Sequence, residues 1–164
     1  MIDTNKKTEL LHLIDQSFLF SSNQLLPSPK EKTEMERLEW LNNDAPYAIL
    51  AQNNLEIPNF IYVNKFAISC FKYTEAEMLS LHSYLSAAPD AQEERNKILK
   101  QVQENNIAFD YSGIRLTKFK KPFTINDGII WKIFKNGNHG EVIGQAALFW
   151  LKDEPKPDWW KILK

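Results

Sequence analysis

Read as a strand, Glu141–Trp150 is apolar on both of its faces. Successive strand side chains point to opposite sides. Val142, Gly144, Ala146, Leu148 and Trp150 therefore share one face, and Ile143, Gln145, Ala147 and Phe149 share the other. A strand with one solvated face alternates apolar and polar residues, and this one does not. The sheet that contains it must be covered on both sides, which calls for helices docked on each. Just upstream, Lys121–Phe134 places Phe123, Ile125, Ile129, Trp131 and Ile133 on one parity. Lys135–Gly140 (KNGNHG) between them carries two glycines that permit positive φ, so the pair reads as a hairpin. Ile107–Lys118, with Gly113 inside it, is a third strand before them.

The rest of the chain supplies the cover. Leu10, Leu13, Ile14, Ser17 and Phe18 repeat at helical spacing within Lys6–Phe20, an amphipathic helix. The prolines of Asn23–Pro29 break it. A charged second helix runs over Lys30–Asn42, with Met35, Leu38 and Leu41 on one side. Tyr47–Gln52 and Phe60–Val63 are two short strands, joined by a polar turn containing Pro58 and suggesting an early hairpin. Asn64 caps a short helix Lys65–Phe71, and Thr74 with Glu77 forms a capping box for Glu75–Ser80. After a loop at Ala87–Asp90, Ala91–Asn105 is the longest helix of this half. Ile98, Leu99 and Val102 face in, and Glu93, Glu94, Arg95, Lys97 and Lys100 face water. The order is two helices, two strands, short helices, then three strands. It predicts an α+β domain, a five-stranded antiparallel sheet with inserted short helices, a layout shared by the PAS architecture and some other small α+β folds. Residues 1–44 form an N-terminal helical extension, 45–151 the domain proper, and 152–164 a tail with exposed Trp159 and Trp160.

Charge and composition exclude several roles. The 164 residues suffice for one domain with a real core. Twenty basic residues against 21 acidic ones leave a net charge of −1, so nothing draws the chain as a whole onto nucleic acid. The longest purely apolar run, Ala146–Leu151, is far below the roughly 20 residues that span a bilayer. The N-terminus lacks the apolar stretch of a signal peptide. The single Cys70 has no internal disulfide partner. These features lead us to expect a cytoplasmic protein that partners neither membrane nor nucleic acid.

The residues also carry a family resemblance. Pro58–Asn64 (PNFIYVN), followed by Ala67, Phe71, Tyr73, Thr74 and Glu77, resembles the start of a PAS core. Ser83–Pro89 (SYLSAAP), Glu94-Arg95, Tyr111–Arg115 (YSGIR), Phe123–Ile125, Trp131, and Gly144–Ala147 (GQAA) with Phe149 and Trp150 resemble, in order and spacing, the MEKHLA domain, a PAS-like family. The resemblance covers roughly residues 6–150. It implies a sensing or assembly module, with no established catalytic residues to carry over and no settled ligand. A signalling protein would be the output partner, because this chain shows no output domain of its own.

A PAS-like core can enclose a small molecule between the inner sheet face and the short helices. Tyr111, Arg115, Gln145 and Cys70 are the candidate polar groups for such a site, with Trp131 and Phe66 as walls. Tyr111 and Arg115 share strand parity. An arginine in an apolar cavity needs an anion, from a ligand carboxylate or from Asp110 or Asp127. Gln145 invites comparison with flavin-binding light–oxygen–voltage (LOV) sensors, but Cys70 sits on an earlier helix and their cysteine motif is absent. No cofactor is therefore assigned. Of the three histidines only His82 lies where it could reach a haem, and no acids or histidines sit at metal spacing. No nucleophile–base pairing and no phosphate loop is present, so the chain is not read as an enzyme. Two functions remain. One is a sensory module for a small molecule, signalling through a partner. The other is a ligand-free interaction module, a homodimer in particular, joined through the stripe Leu10, Leu13, Ile14 and Phe18 and through Trp159-Trp160.

Overall fold

The computed structural model describes residues 4–86 and 92–162, without the side chains of Gln92 and Glu94. The expected loop at Ala87–Asp90 lies outside the described residues. The elements are α1 (Thr4–Ser22), α2 (Glu34–Asn43), β1 (Ala48–Asn53), β2 (Phe60–Val63), α3 (Lys65–Phe71), α4 (Glu75–Met78), a 3-10 turn (Ser83–Ser86), α5 (Gln92–Asn105), β3 (Ile107–Leu116), β4 (Pro122–Phe134) and β5 (Val142–Leu151). The strands form one antiparallel sheet in the order β2-β1-β5-β4-β3. The early hairpin and the late meander thus join through β1 and β5, as the strand pattern predicts. β5 is central, which explains its two apolar faces.

Each face carries its own core. On the outer face α1 and α2 pack Leu11, Ile14, Phe18, Leu38 and Leu41 onto Ile49, Leu148, Trp131 and Ile133. Trp131 donates from Nε1 to the Ile14 carbonyl at 3.1 Å, and its ring meets Phe18 edge-on. The Ser17 hydroxyl accepts from Phe134 N at 3.0 Å. The helical stripe expected to mediate dimerisation is therefore spent inside its own chain: Ile14 and Phe18 are wholly buried. Each such side chain contributes about 1.5–3 kcal/mol by leaving water. Trp159 and Trp160 are not exposed as expected. They close the same face, Trp159 against Trp40 and Trp160 against Tyr47 and Trp150. Extension, domain and tail thus share one core.

Two polar knots tie the loops down. Asp15 and Arg37 form a buried bidentate pair at 2.7 and 2.8 Å, and both also bond the Leu26 backbone. Burial disfavours the Arg37 charge, but Asp15 outweighs it and holds the guanidinium above its ordinary pKa. Asn64, fully buried, caps α3 by accepting from Ala67 N. Its Oδ1 also accepts from Ile49 N, and its Nδ2 donates to the carbonyls of Leu41 and Tyr47. One asparagine therefore joins α2, β1 and α3.

The inner face packs α3, α4 and α5 onto Ala48, Leu50, Ile130, Phe149 and Ala108. Paired bulges shape it. Between β4 and β5 the register moves from Asn126↔Trp150 to Ile129↔Leu148, an extra residue on β4. Between β3 and β4 it moves from Ala108↔Ile130 to Tyr111↔Gly128, an extra residue on β3. Asp127 and Asp110 take the left-handed conformations, φ 51° and 60°, that the bulges require. Gly128 faces Tyr111 so closely that a Cβ there would lie 2.7 Å from the Tyr111 carbonyl oxygen.

Candidate functional site

The inner face holds a hollow under α5. Its floor is the cross-strand pair Gln52↔Gln145 with Leu50↔Ala147 and Ile130 beside them. These residues share the inner face because the β1–β5 register sets them opposite one another without a slip. Ser83 and Ser86 of the 3-10 turn close one side, Tyr111 and Arg115 of β3 another, and Arg95, Ile98 and Leu99 of α5 the roof. The cavity measures about 70 Å³. That is room for a few waters or a very small molecule, below the roughly 300–1,000 Å³ of drug-sized ligand sites.

Among the described residues the charge lining this hollow has one sign. Arg115 donates from Nη2 to the Tyr111 hydroxyl at 2.8 Å, and its guanidinium lies 5.2 Å from the Tyr111 ring centroid. Arg95 is half-buried, and the water it loses together with the nearby positive charge of Arg115 holds its pKa below the usual arginine value. No ion pair among the described residues includes either arginine. Ser83 is only 6% exposed, and its Oγ has no hydrogen-bond partner among the described residues. Ser86, by contrast, donates to the Ser83 carbonyl at 2.8 Å.

Of the residues singled out in the sequence, Tyr111, Arg115 and Gln145 meet at this hollow. Cys70 and Phe66 belong to α3 on the same sheet face but do not line it. Cys70 is buried, and loss of water pushes its thiol up to about 12. Trp131 is not a wall of the hollow: it lies on the outer face against α1. The β4 bulge is the reason. It leaves Ile125 on the inner face while Ile129, Trp131 and Ile133 turn to the outer one, so the single parity read from the sequence splits at Asp127-Gly128.

Arg95, Ser83 and Gln52 went unread. Arg95 sits in sequence among Glu93, Glu94, Lys97 and Lys100, a charged run that reads as a solvated face. Its position three and four residues before Ile98 and Leu99 places it on their side of the helix. Gln52 was legible as the inward neighbour of Leu50. His82 stacks on Tyr84 beside β2 and does not line the hollow.

The outer face has a larger groove, about 250 Å³, lined by Phe109, Asp110, Asp127, Ile129, Lys156, Trp160 and Ile162. Asp110 and Asp127, the acids considered as partners for Arg115, line this outer groove and not the hollow, and Lys156 pairs with Asp127 at 2.5 Å. Among the described residues no group of histidine, cysteine or acidic side chains is arranged to hold a metal ion. No described helix is long and apolar enough to cross a membrane.

Comparison with known proteins agrees with this architecture. The model of the MEKHLA domain family matches residues 8–151. A PAS domain from Colwellia psychrerythraea superposes with a TM-score of 0.59 at 14% identity, covering 71% of this chain and 94% of that one. The LOV protein of Rhodobacter sphaeroides gives 0.55 at 10% identity over 74% of this chain and 69% of its own. The LOV domain of the blue-light photoreceptor Aureochrome1 gives 0.53 at 11% identity, over 80% and 90%. At such identities the likeness shows the fold. A search of curated proteins finds no match.

Proposed function

The chain belongs to the MEKHLA domain family, and from that premise we propose that it is a non-catalytic, PAS-like sensory module. It binds a small molecule in the hollow between the inner sheet face and α5 and signals through a partner protein. The observation that carries this reading is the convergence of Arg95, Arg115, Tyr111, Ser83 and Gln145, from four separate elements of the chain, on one partly enclosed space. Structure alone does not require this. A core needs no arginine pair without a carboxylate, and buried polar groups are ordinarily satisfied.

Signalling needs two conformations with different affinity for the ligand. The 3-10 turn and α5 close the hollow from the helical side, while β1 and β5 lie inside the sheet, flanked by strands on both sides. Closure of α5 over a ligand would reach the outer face through β4, which touches both α5 and α1. A thermal-shift screen of the full chain against small acids, amides, alcohols and sugars tests this. Stabilisation by a compound class, lost when the hollow is filled by Ala147→Leu, supports it. Absence of a shift with every class contradicts it.

The second reading is a ligand-free interaction module. The small volume of the hollow favours it, and so do the apolar side chains left in water at Leu55, Ile57 and Phe119, which are 63%, 56% and 67% exposed. The same screen separates the two, because an interaction module leaves the hollow indifferent to every compound.

A further inference from the structure

We infer that the hollow is a receptor for a small organic acid, whose carboxylate is held between the guanidiniums of Arg95 and Arg115 and whose short apolar tail rests on Leu50, Ile130 and Ala147. This deepens the sensory reading and rests on it. The site has the parts such a ligand needs. Two guanidiniums, each a rigid fork of donors, suit the planar carboxylate. The chain provides no carboxylate of its own to either among the described residues. Because the Tyr111 oxygen accepts from Arg115, its phenolic proton is left to donate toward the same space. The Ser83 hydroxyl, buried and without a partner among the described residues, is a further donor at the wall.

The apolar part of the floor selects for the tail. Leu50, Ile130 and Ala147 present hydrocarbon to the cavity, which an inorganic anion leaves unused. The volume of about 70 Å³ limits the ligand to a few carbons in this conformation. Acid and tail together exclude a bare phosphate or sulfate as the preferred ligand. Gln52 and Gln145, side by side on the floor, offer amide groups to a hydroxyl or carbonyl on the same acid.

The test is calorimetric titration of the full chain with propanoate, butanoate and lactate, with butanamide and sulfate as the uncharged and the inorganic controls. The expected result is saturable binding of at least one acid, no measurable binding of butanamide, and weaker binding of sulfate. Arg95→Gln, at a half-exposed site, is expected to weaken acid binding by about tenfold or more. Arg115→Lys keeps the charge and loses the fork, and is expected to weaken it by a similar factor. Circular dichroism of each variant keeps loss of binding distinct from loss of fold. Equal binding of butanamide and butanoate overturns the acid assignment and leaves a small-molecule site standing. Sulfate binding as tightly as any acid, or acid binding unchanged in both arginine variants, also overturns it. Binding of none of the five compounds, with no shift in the wider thermal screen, overturns the sensory reading as well.

Discussion

Arg115 and Tyr111, four residues apart on β3, are joined by a 2.8 Å hydrogen bond from Nη2 to the phenolic oxygen. The bond holds a cation at the rim of the inner-face hollow and leaves the phenolic proton for a ligand. Tyr111→Phe keeps the ring that packs on Gly113 and Gly128 and removes only the hydroxyl. The variant is expected to fold, to lose about 1 kcal/mol of stability at most, and to bind small acids several-fold more weakly. Urea unfolding and calorimetry read the two effects separately. Unchanged affinity in the folded variant would remove Tyr111 from the site.

A second prediction concerns the buried pair Asp15–Arg37. Each residue alone leaves its partner charged in an apolar surrounding, so Asp15→Ala and Arg37→Ala should each lower stability by about 3–5 kcal/mol. The double variant should lose far less than the sum, because the orphaned charge is gone. Urea unfolding of the four proteins measures the coupling. Additive losses would contradict a coupled pair.

Asn64 is a test of local architecture. Its side chain caps α3 and also holds β1 and the end of α2. Asn64→Ala is expected to cost about 2–4 kcal/mol, more than an ordinary cap, because buried backbone groups of three elements lose a partner. Asn64→Asp keeps both acceptor bonds but sets a buried carboxylate oxygen against the Leu41 and Tyr47 carbonyls, so at neutral pH it should cost at least as much as the alanine if the donor bonds matter. A loss equal to that of an exposed cap substitution would contradict the three-way role.

Glu77 gives a pH signature. Lys118 beside it at 2.7 Å and the Thr74 backbone hold its carboxyl down from an ordinary 4.5 to about 2. A carboxyl depressed on folding stabilises the fold while it is ionised. That contribution is complete above about pH 4.5 and fades as pH falls toward 2. Glu77→Gln preserves the capping-box pattern and removes the titration. The stability difference between wild type and variant should shrink steadily as pH falls through that window, and it should be small throughout because the pair is solvent-exposed. A difference that grows on acidification would contradict the sign.

The sheet, its two covered faces and most element boundaries follow from local patterns. β5 is apolar on both parities because it lies at the sheet centre, and the Asn64 and Thr74 caps formed where their side chains allow. What failed failed for non-local reasons. The face of Trp131 depends on a bulge at Asp127-Gly128 that parity cannot register, and Gly128 was its only signal. The stripe on α1 was correctly read as apolar, but its partner, whether a second chain or its own sheet, is fixed only by packing. The same holds for Trp159 and Trp160, where prolines before them suggested a loose tail. Within the site, Tyr111 and Arg115 were legible together because no bulge changes their relative parity. Arg95 was missed because a charge on a polar helix reads as solvated until the opposing strand is in place.

A sensory role for this chain requires a ligand on the inner face of the sheet. Methyl NMR of the full chain titrated with butanoate measures that occupancy directly. Ile98, Ile130 and Ala147 border the hollow, whereas Ile14 and Ile133 lie in the core beyond the sheet. A ligand in the hollow should give saturable shifts of the first three with one shared dissociation constant, and little change in the other two. Shifts centred on Ile14 and Ile133, or none at any of the five at saturating acid, would contradict it.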